Sequence, residues 1–132
     1  MLALKLLVLL GLCILPGEIV AADSLWFTIA LPDGWKTADA DDRVDVLDQA
    51  GKRRFGISVN KKNNNFIMCF CSAWRNYEKF ERNGFRGARL DQMGVLTVKV
   101  SGAKFSTDVH YTYLNNDEDL VNVSAIESIR PK

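Results

Sequence analysis

The sequence is poor in the residue types that most often carry catalysis or bind metals. Among its 132 residues there are three cysteines and one histidine, His110. Acid–base catalysis draws mostly on histidine, and zinc sites draw on clusters of histidine and cysteine. The two cysteines after residue 22, Cys69 and Cys71, have no histidine near them in the sequence. We therefore predict that the protein is not an enzyme and has no catalytic residue, no metal ligand and no cofactor.

An excess of charge of one sign is also lacking, since the net charge is +1. Nucleic-acid-binding domains usually carry a strongly basic surface, so we expect no nucleic-acid partner. The charge is unevenly distributed: residues 23–48 have a net charge of −5, and residues 52–89 have a net charge of +8. The two segments either neutralise one another in the fold or form separate surfaces that steer a charged partner.

The apolar run near the amino terminus, residues 6–15, is too short for a membrane span, which needs about 20 residues. It follows Lys5, and Val20-Ala21-Ala22 supplies the small residues that a signal peptidase accepts. We therefore predict that residues 1–22 are a cleaved signal peptide and that residues 23–132 form a single domain. The expected location is the periplasm or the exterior, with no stable membrane span after cleavage. An uncleaved anchor or a lipid on Cys13 is the alternative.

Alternation of apolar and polar residues predicts strands over much of the chain. The longest such pattern runs from residue 105 to 113, with Phe105, Val109, Tyr111 and Tyr113 on one face. Residues 96–100 alternate before it, and Val121, Val123 and Ala125 alternate after the polar turn at residues 115–118. These three runs predict an antiparallel meander whose apolar face must be covered by another element.

Earlier segments add strands and a helix. Residues 25–31 predict a strand that ends at the turn Pro32-Asp33-Gly34, with Trp35 covering the core. Residues 44–47 and 55–59 predict a hairpin around residues 48–52. Apolar spacings of three and four predict a helix over Ala73–Arg82, while residues 66–71 fit either a strand or a helix. The predicted fold class is α+β, an antiparallel sheet of about five or six strands packed on one principal helix.

Two groups of residues have the composition of a reactive site. Cys69 and Cys71 lie in an apolar run, where free cysteine behaves as a small hydrophobic residue. The alternative is a thiol-dependent metal or redox protein that uses this pair. Ser106, Asp108 and His110 share one face of a strand, but residues two apart are separated by about 7 Å along a strand. We interpret that face as solvated.

Charged residues are the candidates for binding a protein partner. A basic side of the predicted helix and an acidic turn before the last predicted strand supply them: Arg75, Lys79, Arg82, Arg86, Asp117, Glu118 and Asp119. Arginine side chains suit carboxylate partners because their planar groups can donate two parallel hydrogen bonds. The alternative is an ordinary charged helix surface and a solvated turn.

Residues 27–35, Phe-Thr-Ile-Ala-Leu-Pro-Asp-Gly-Trp, resemble the PsbP-like family, which includes periplasmic DcrB-like proteins. Members of that family are non-enzymatic α/β sandwiches that assist assembly or bind other proteins, and some toxin-immunity proteins look similar in fold. The resemblance implies an exported protein-binding module: an inhibitor, a toxin-immunity protein or an assembly factor. Its partner would be another protein, such as a toxin or an envelope component. This chain has one predicted helix where the family layers helices on both faces, and no binding residue is carried over by the motif.

Overall fold

The computed structural model describes residues 19–61, 78–82 and 85–132. Within these ranges the chain forms ten strands and one helix. The strands are β1 (Ile19–Asp23), β2 (Phe27–Pro32), β3 (Lys36–Asp39), β4 (Arg43–Leu47), β5 (Arg53–Asn60), β6 (Glu78–Arg82), β7 (Phe85–Gln92), β8 (Val95–Ser101), β9 (Ser106–Thr112) and β10 (Arg130–Pro131). The helix, α1, spans Glu118–Glu127.

The strands form two antiparallel sheets. The smaller sheet has the order β1-β2-β10, and the larger sheet has the order β3-β4-β5-β9-β8-β7-β6. The prediction of one sheet of five or six strands on a principal helix is wrong, because the described residues are mostly strand and divide between two sheets. A single face of so large a sheet needs more cover than one helix gives, and β2 supplies much of it.

The core lies between one face of the larger sheet and the smaller sheet with α1. The alternation predicted for five of the strands is confirmed, because their apolar residues are buried. These residues are Phe27, Ile29, Leu31, Val44, Val46, Phe55, Ile57, Val59, Leu96, Val98, Val100, Val109 and Tyr111. Leu25 is the exception: it is 69% exposed, and β2 begins only at Phe27.

The strand predicted around Val121, Val123 and Ala125 is wrong, because these residues belong to α1. The residues that α1 and the following turn bury are Asn122, Ala125, Ile126 and Ile129. Their spacings of three, one and three follow the helical period. One of the buried positions of α1 is occupied by a polar residue, Asn122. The apolar residues 121, 123 and 125 therefore alternate as they would in a strand, although the segment is a helix.

The helix predicted over Ala73–Arg82 is wrong for its second half, because Glu78–Arg82 is strand β6. It pairs with β7, and Phe80 lies opposite Gly87. The pairing with β7 outweighs the local helical spacing, since strand formation depends on neighbours that a local pattern does not contain. Residues 73–77, the segment 66–71, the cysteine pair and residues 1–18 lie outside the described residues.

Replacing Gly87 by alanine tests the pairing of β6 with β7. A Cβ atom at this position would collide with the ring of Phe80. We expect Gly87→Ala to lower the free energy of unfolding by about 1–3 kcal/mol, as overpacking usually does. In a Phe80→Ala background the same change should cost much less, because the ring is gone. Urea denaturation of the four variants measures both costs, and equal costs in the two backgrounds would refute the pairing.

Candidate functional site

The acidic residues predicted to bind a partner lie at the start of α1, and Asp119 is engaged within the chain. Its carboxylate accepts a hydrogen bond of 2.5 Å from the Tyr111 hydroxyl. It also accepts hydrogen bonds from the backbone N–H groups of Leu114, Asn115 and Asn116. Removal from water raises the pKa of Asp119, but these four donors outweigh that effect and hold the pKa below its ordinary value. Asp119 therefore fixes the start of α1 to the end of β9.

Glu118 takes part in a second attachment, which also positions an aromatic ring. Arg54 Nη1 lies 2.9 Å from Glu118 Oε1, and Arg54 Nε donates to Asp48 Oδ2 at 2.9 Å. The guanidinium carbon lies 5.2 Å from the centre of the Trp35 ring. Burial lowers the pKa of Arg54, but the two carboxylates outweigh it and raise the pKa above its ordinary value. Trp35 packs against the core, as predicted, and is held in place by this network. Asp117, by contrast, is exposed.

The basic residues do not form the predicted helical side. Lys79 and Arg82 belong to β6, and Arg86 belongs to β7. In the register of the pair, Glu81 lies opposite Arg86 and Arg82 lies opposite Phe85. Arg75 lies outside the described residues, and the binding role of all four residues stays a prediction.

The polar face of the larger sheet contains a cleft of about 540 Å³. It is lined by Asp41, Asp42, Ser58, Val59, Asn60, Lys61, Ser106 and Asp108. Lys99 Nζ donates to Asp108 Oδ2 at 2.8 Å, and Lys99 is only 5% exposed. The interpretation of this face as solvated holds for His110 but not for Ser106, which is buried.

His110 makes side-chain contacts through both nitrogens of its imidazole ring. Its Nε2 lies 3.3 Å from Asp108 Oδ2, and its Nδ1 lies 3.1 Å from Thr97 Oγ1. The expectation that the side chains of Asp108 and His110 are too far apart to meet is wrong, because they bend toward each other from the same face. Both ring nitrogens are thus engaged, and Ser106 Oγ has no hydrogen-bond partner. The described part of this face therefore holds no linked serine, histidine and aspartate.

In residues 19–61, 78–82 and 85–132, no three histidine, cysteine or acidic side chains come together in a way that could hold a metal ion. None of the helical segments in these ranges combines the length and the hydropathy that a membrane-spanning helix requires.

A second concavity, of about 490 Å³, lies beside α1, and we refer to it as the α1 groove. It is lined by Ile19, Ala30, Pro32, Asp33, Trp35, Gln49, Leu120, Val121, Ser124, Ala125 and Ser128. Most of these side chains are apolar, and two of them are strongly exposed: Leu120 at 77% and Ile19 at 64%. This groove is not apparent in the sequence, because the alternation of residues 121–125 predicts a strand there. A helical interpretation would have placed Leu120 on the outward side of α1.

The turn before Trp35 shapes one wall of the α1 groove. Trp35 N–H donates to the Pro32 carbonyl at 3.1 Å, which makes Pro32 the first and Gly34 the third residue of the turn. Gly34 has a φ of 85°, a conformation that glycine adopts without strain.

Acid titration tests the anchoring role of Asp119. Its pKa is lower in the folded protein than the unfolded value of about 3.9. Its contribution to stability is therefore complete at neutral pH and is lost as the pH falls below about 4, through the folded pKa. We expect Asp119→Asn to be less stable than the wild type at pH 7, with a difference that shrinks toward pH 3. Urea denaturation at several pH values measures this difference.

Asp117→Asn is the matched control, because Asp117 is exposed and its side chain makes no capping hydrogen bond. It should change stability less than Asp119→Asn at pH 7. A gap between wild type and Asp119→Asn that stays constant from pH 7 to pH 3 would contradict the assignment.

No family model and no curated protein matches the sequence. Among solved structures, the chain aligns with a protein from Bacteroides thetaiotaomicron VPI-5482, determined by crystallography at 1.50 Å. The two share 12% identity and superpose with a TM-score of 0.46 over 89% of this chain and 49% of the other. This chain thus spans about half the length of that protein, and a likeness at this level supports no argument about function. The resemblance to the PsbP-like family stays an interpretation of the sequence.

Proposed function

We propose that the protein is an exported, non-enzymatic protein-binding module that docks its partner through the α1 groove. The observation that carries this proposal is an apolar groove with a strongly exposed large side chain, Leu120, on its helical wall. Contiguous exposed apolar surface is unusual on a monomer and is typical of a site where another molecule binds. Export rests on the predicted signal peptide.

The groove has the rigid aromatic element that protein-binding surfaces favour. Trp35 lies in its wall, and tryptophan in a well-packed pocket often contributes a large share of binding energy. The ring is held by Arg54, which is itself tied to Glu118 of α1. A side chain that is already fixed loses little conformational entropy on binding, so the surface is preorganised.

The sheet edges also favour this side of the molecule. Edge strands are commonly protected from pairing with other chains by charged residues or proline. The edge strand β6 carries four charged residues, and the edge strand β3 begins with Lys36 and ends with Asp39. The strand β1, Ile-Val-Ala-Ala-Asp, carries one charge, at its end. After the predicted cleavage the edge beside the α1 groove would be β2, Phe-Thr-Ile-Ala-Leu-Pro, which carries no charge. With or without β1, this edge has fewer charged residues than β6 or β3.

The kind of partner follows from these features together with the predicted export. An apolar segment of another protein fits the groove, and the partner classes suggested by the family resemblance are a toxin or an envelope component. Charged residues outside the groove, such as Arg86 and Asp117, would act mainly on the rate of association. The alternative function based on Cys69 and Cys71 concerns residues outside the described ranges.

Replacing Leu120 by glutamate tests the docking surface. A photo-crosslinking amino acid at position 120 first identifies the partner in the cell envelope, and the purified partner is then used for binding measurements. We expect Leu120→Glu to weaken binding at least tenfold, because a charge would be buried in an apolar contact. The thermal midpoint should change little, since the side chain is 77% exposed.

Met93→Glu is the matched control, because Met93 is 91% exposed and lies in a hairpin turn that does not line the groove. It should leave the affinity unchanged. An equal loss in both variants, or no loss in Leu120→Glu, would reject the α1 groove. A loss confined to Arg86→Glu would instead place the partner on the larger sheet near β7.

A further inference from the structure

Strand β1 lies across the predicted cleavage site. Cleavage after Ala22 would remove four of the five residues of β1 and leave only Asp23. The same cleavage would turn β2, now the middle strand of the smaller sheet, into an edge strand. We propose that the partner of the exported protein contributes an extended strand that pairs with this uncovered edge of β2 in place of β1. This inference rests on the proposed function and on the predicted export.

The hydrogen bonds around β2 show which backbone groups cleavage would uncover. Ala30 N–H donates to Ser128 Oγ at 2.8 Å, and Lys132 N–H donates to the Trp26 carbonyl at 2.8 Å. The even-numbered residues of this segment therefore direct their backbone groups away from β1. On the other side, Ser24 N–H donates to the Phe27 carbonyl at 2.9 Å.

Backbone groups alternate between the two sides of a strand, so Ile29 and Leu31 face β1. The register pairs Ile29 with Ala22 and Leu31 with Val20. Cleavage after Ala22 would remove both partners and leave two N–H and two C=O groups unpaired. A row of such groups is a template for a strand from another chain.

The uncovered edge adjoins the core rather than a polar surface. With β1 in place, Ile29 is 2% exposed and Leu31 is 1% exposed. Ala22 is partly buried and packs against the same core. Loss of β1 would therefore expose apolar surface as well as backbone groups, and a partner strand would cover both.

The new amino terminus does not replace β1. Lys132 Nζ lies 2.7 Å from Asp23 Oδ1 and donates to the Ser24 carbonyl at 2.7 Å. These contacts hold the first residues of the exported chain at the end of the smaller sheet beside β10. The length of β2 from Ile29 to Pro32 would remain open.

The sequence of β1 indicates which strand of the partner would fit beside β2. It runs antiparallel to β2, with a β-branched residue opposite Leu31 and a residue of alanine size opposite Ile29. Neither of these positions can be proline, because each must donate an N–H group. The partner segment is thus an extended apolar strand with one small residue, flanked by the side chains that enter the α1 groove.

A synthetic peptide with the sequence of residues 17–24, Gly-Glu-Ile-Val-Ala-Ala-Asp-Ser, serves as the probe. Its binding is measured by fluorescence anisotropy to the exported protein and to the full-length uncleaved chain. We expect the exported protein to bind the peptide at least tenfold more tightly, since β1 occupies the edge in the uncleaved chain. Intact mass gives the first residue of the exported protein.

Backbone methylation of the peptide supplies the control. An N-methyl group at the position of Val20 or Ala22 should abolish binding, because it removes a hydrogen bond to Leu31 or Ile29. The same group at the position of Ala21 should be tolerated, since that N–H faces away from β2.

Three results would overturn the inference: an exported protein that still contains Ile19–Ala22, peptide binding that is absent or insensitive to the methylated position, or a dimer of the exported protein that buries the edge. If Leu120→Glu weakens binding of the partner but the peptide does not bind, the strand pairing is rejected and the proposed function is retained. Position-specific peptide binding combined with no effect of Leu120→Glu would reject the α1 groove and keep the strand pairing.

Discussion

The apolar face of the larger sheet must be kept from water, and the rest of the described structure depends on how this is done. Burial of each large aliphatic side chain contributes about 1.5–3 kcal/mol, so an uncovered face of this size would not be stable. Two elements cover it: β2, through Phe27, Ile29 and Leu31, and α1, through Ala125 and Ile126. Neither belongs to the larger sheet, so each must be attached to it.

The attachment of α1 relies on polar groups in defined positions. Asn122 is fully buried and donates to the Tyr111 hydroxyl at 2.9 Å, and that hydroxyl donates to Asp119. Arg54 makes the second link, from β5 to Glu118. A buried polar group without a partner is costly, so these bonds favour one placement of the helix over others. Because one side of α1 packs against the sheet, Leu120 on the opposite side faces the solvent beside β1 and β2. The α1 groove lies between these elements.

The sequence predicts those strands in which one face is buried and the other is exposed, because this pattern can be recognised within a short segment. Residues 27–31, 44–46, 55–59 and 96–100 form strands as predicted, because one apolar face gives a period of two. The prediction fails where the deciding contact is distant. Asn122 is a polar residue on the buried side of α1, where it donates to Tyr111, so the apolar residues alone do not show the helical period. Phe80 belongs to a strand because β6 pairs with β7, with Phe80 opposite Gly87.

The candidate site was less predictable than the fold. Asp119 was predicted to bind a partner because of its charge, and the sequence gives no sign of its contacts with Tyr111 and the backbone, which anchor α1. Its role in partner binding stays a prediction. The α1 groove combines residues about 100 positions apart in the chain, such as Ile19 and Leu120, and no local pattern joins them. The residues around Ala22 fit a signal peptide in the sequence and a strand in the structure, and this double role underlies the proposed opening of β2.

Hydrogen–deuterium exchange at four consecutive backbone amides of β2 measures whether loss of residues 19–22 opens this edge. Ile29 and Leu31 should exchange slowly in the full-length chain and rapidly in the exported protein without partner. Thr28, which pairs with Arg130, and Ala30, which is bonded to Ser128, should stay protected in both forms. Equal protection of Ile29 and Leu31 in the two forms would contradict the account, because β2 would then have no edge for a partner to occupy.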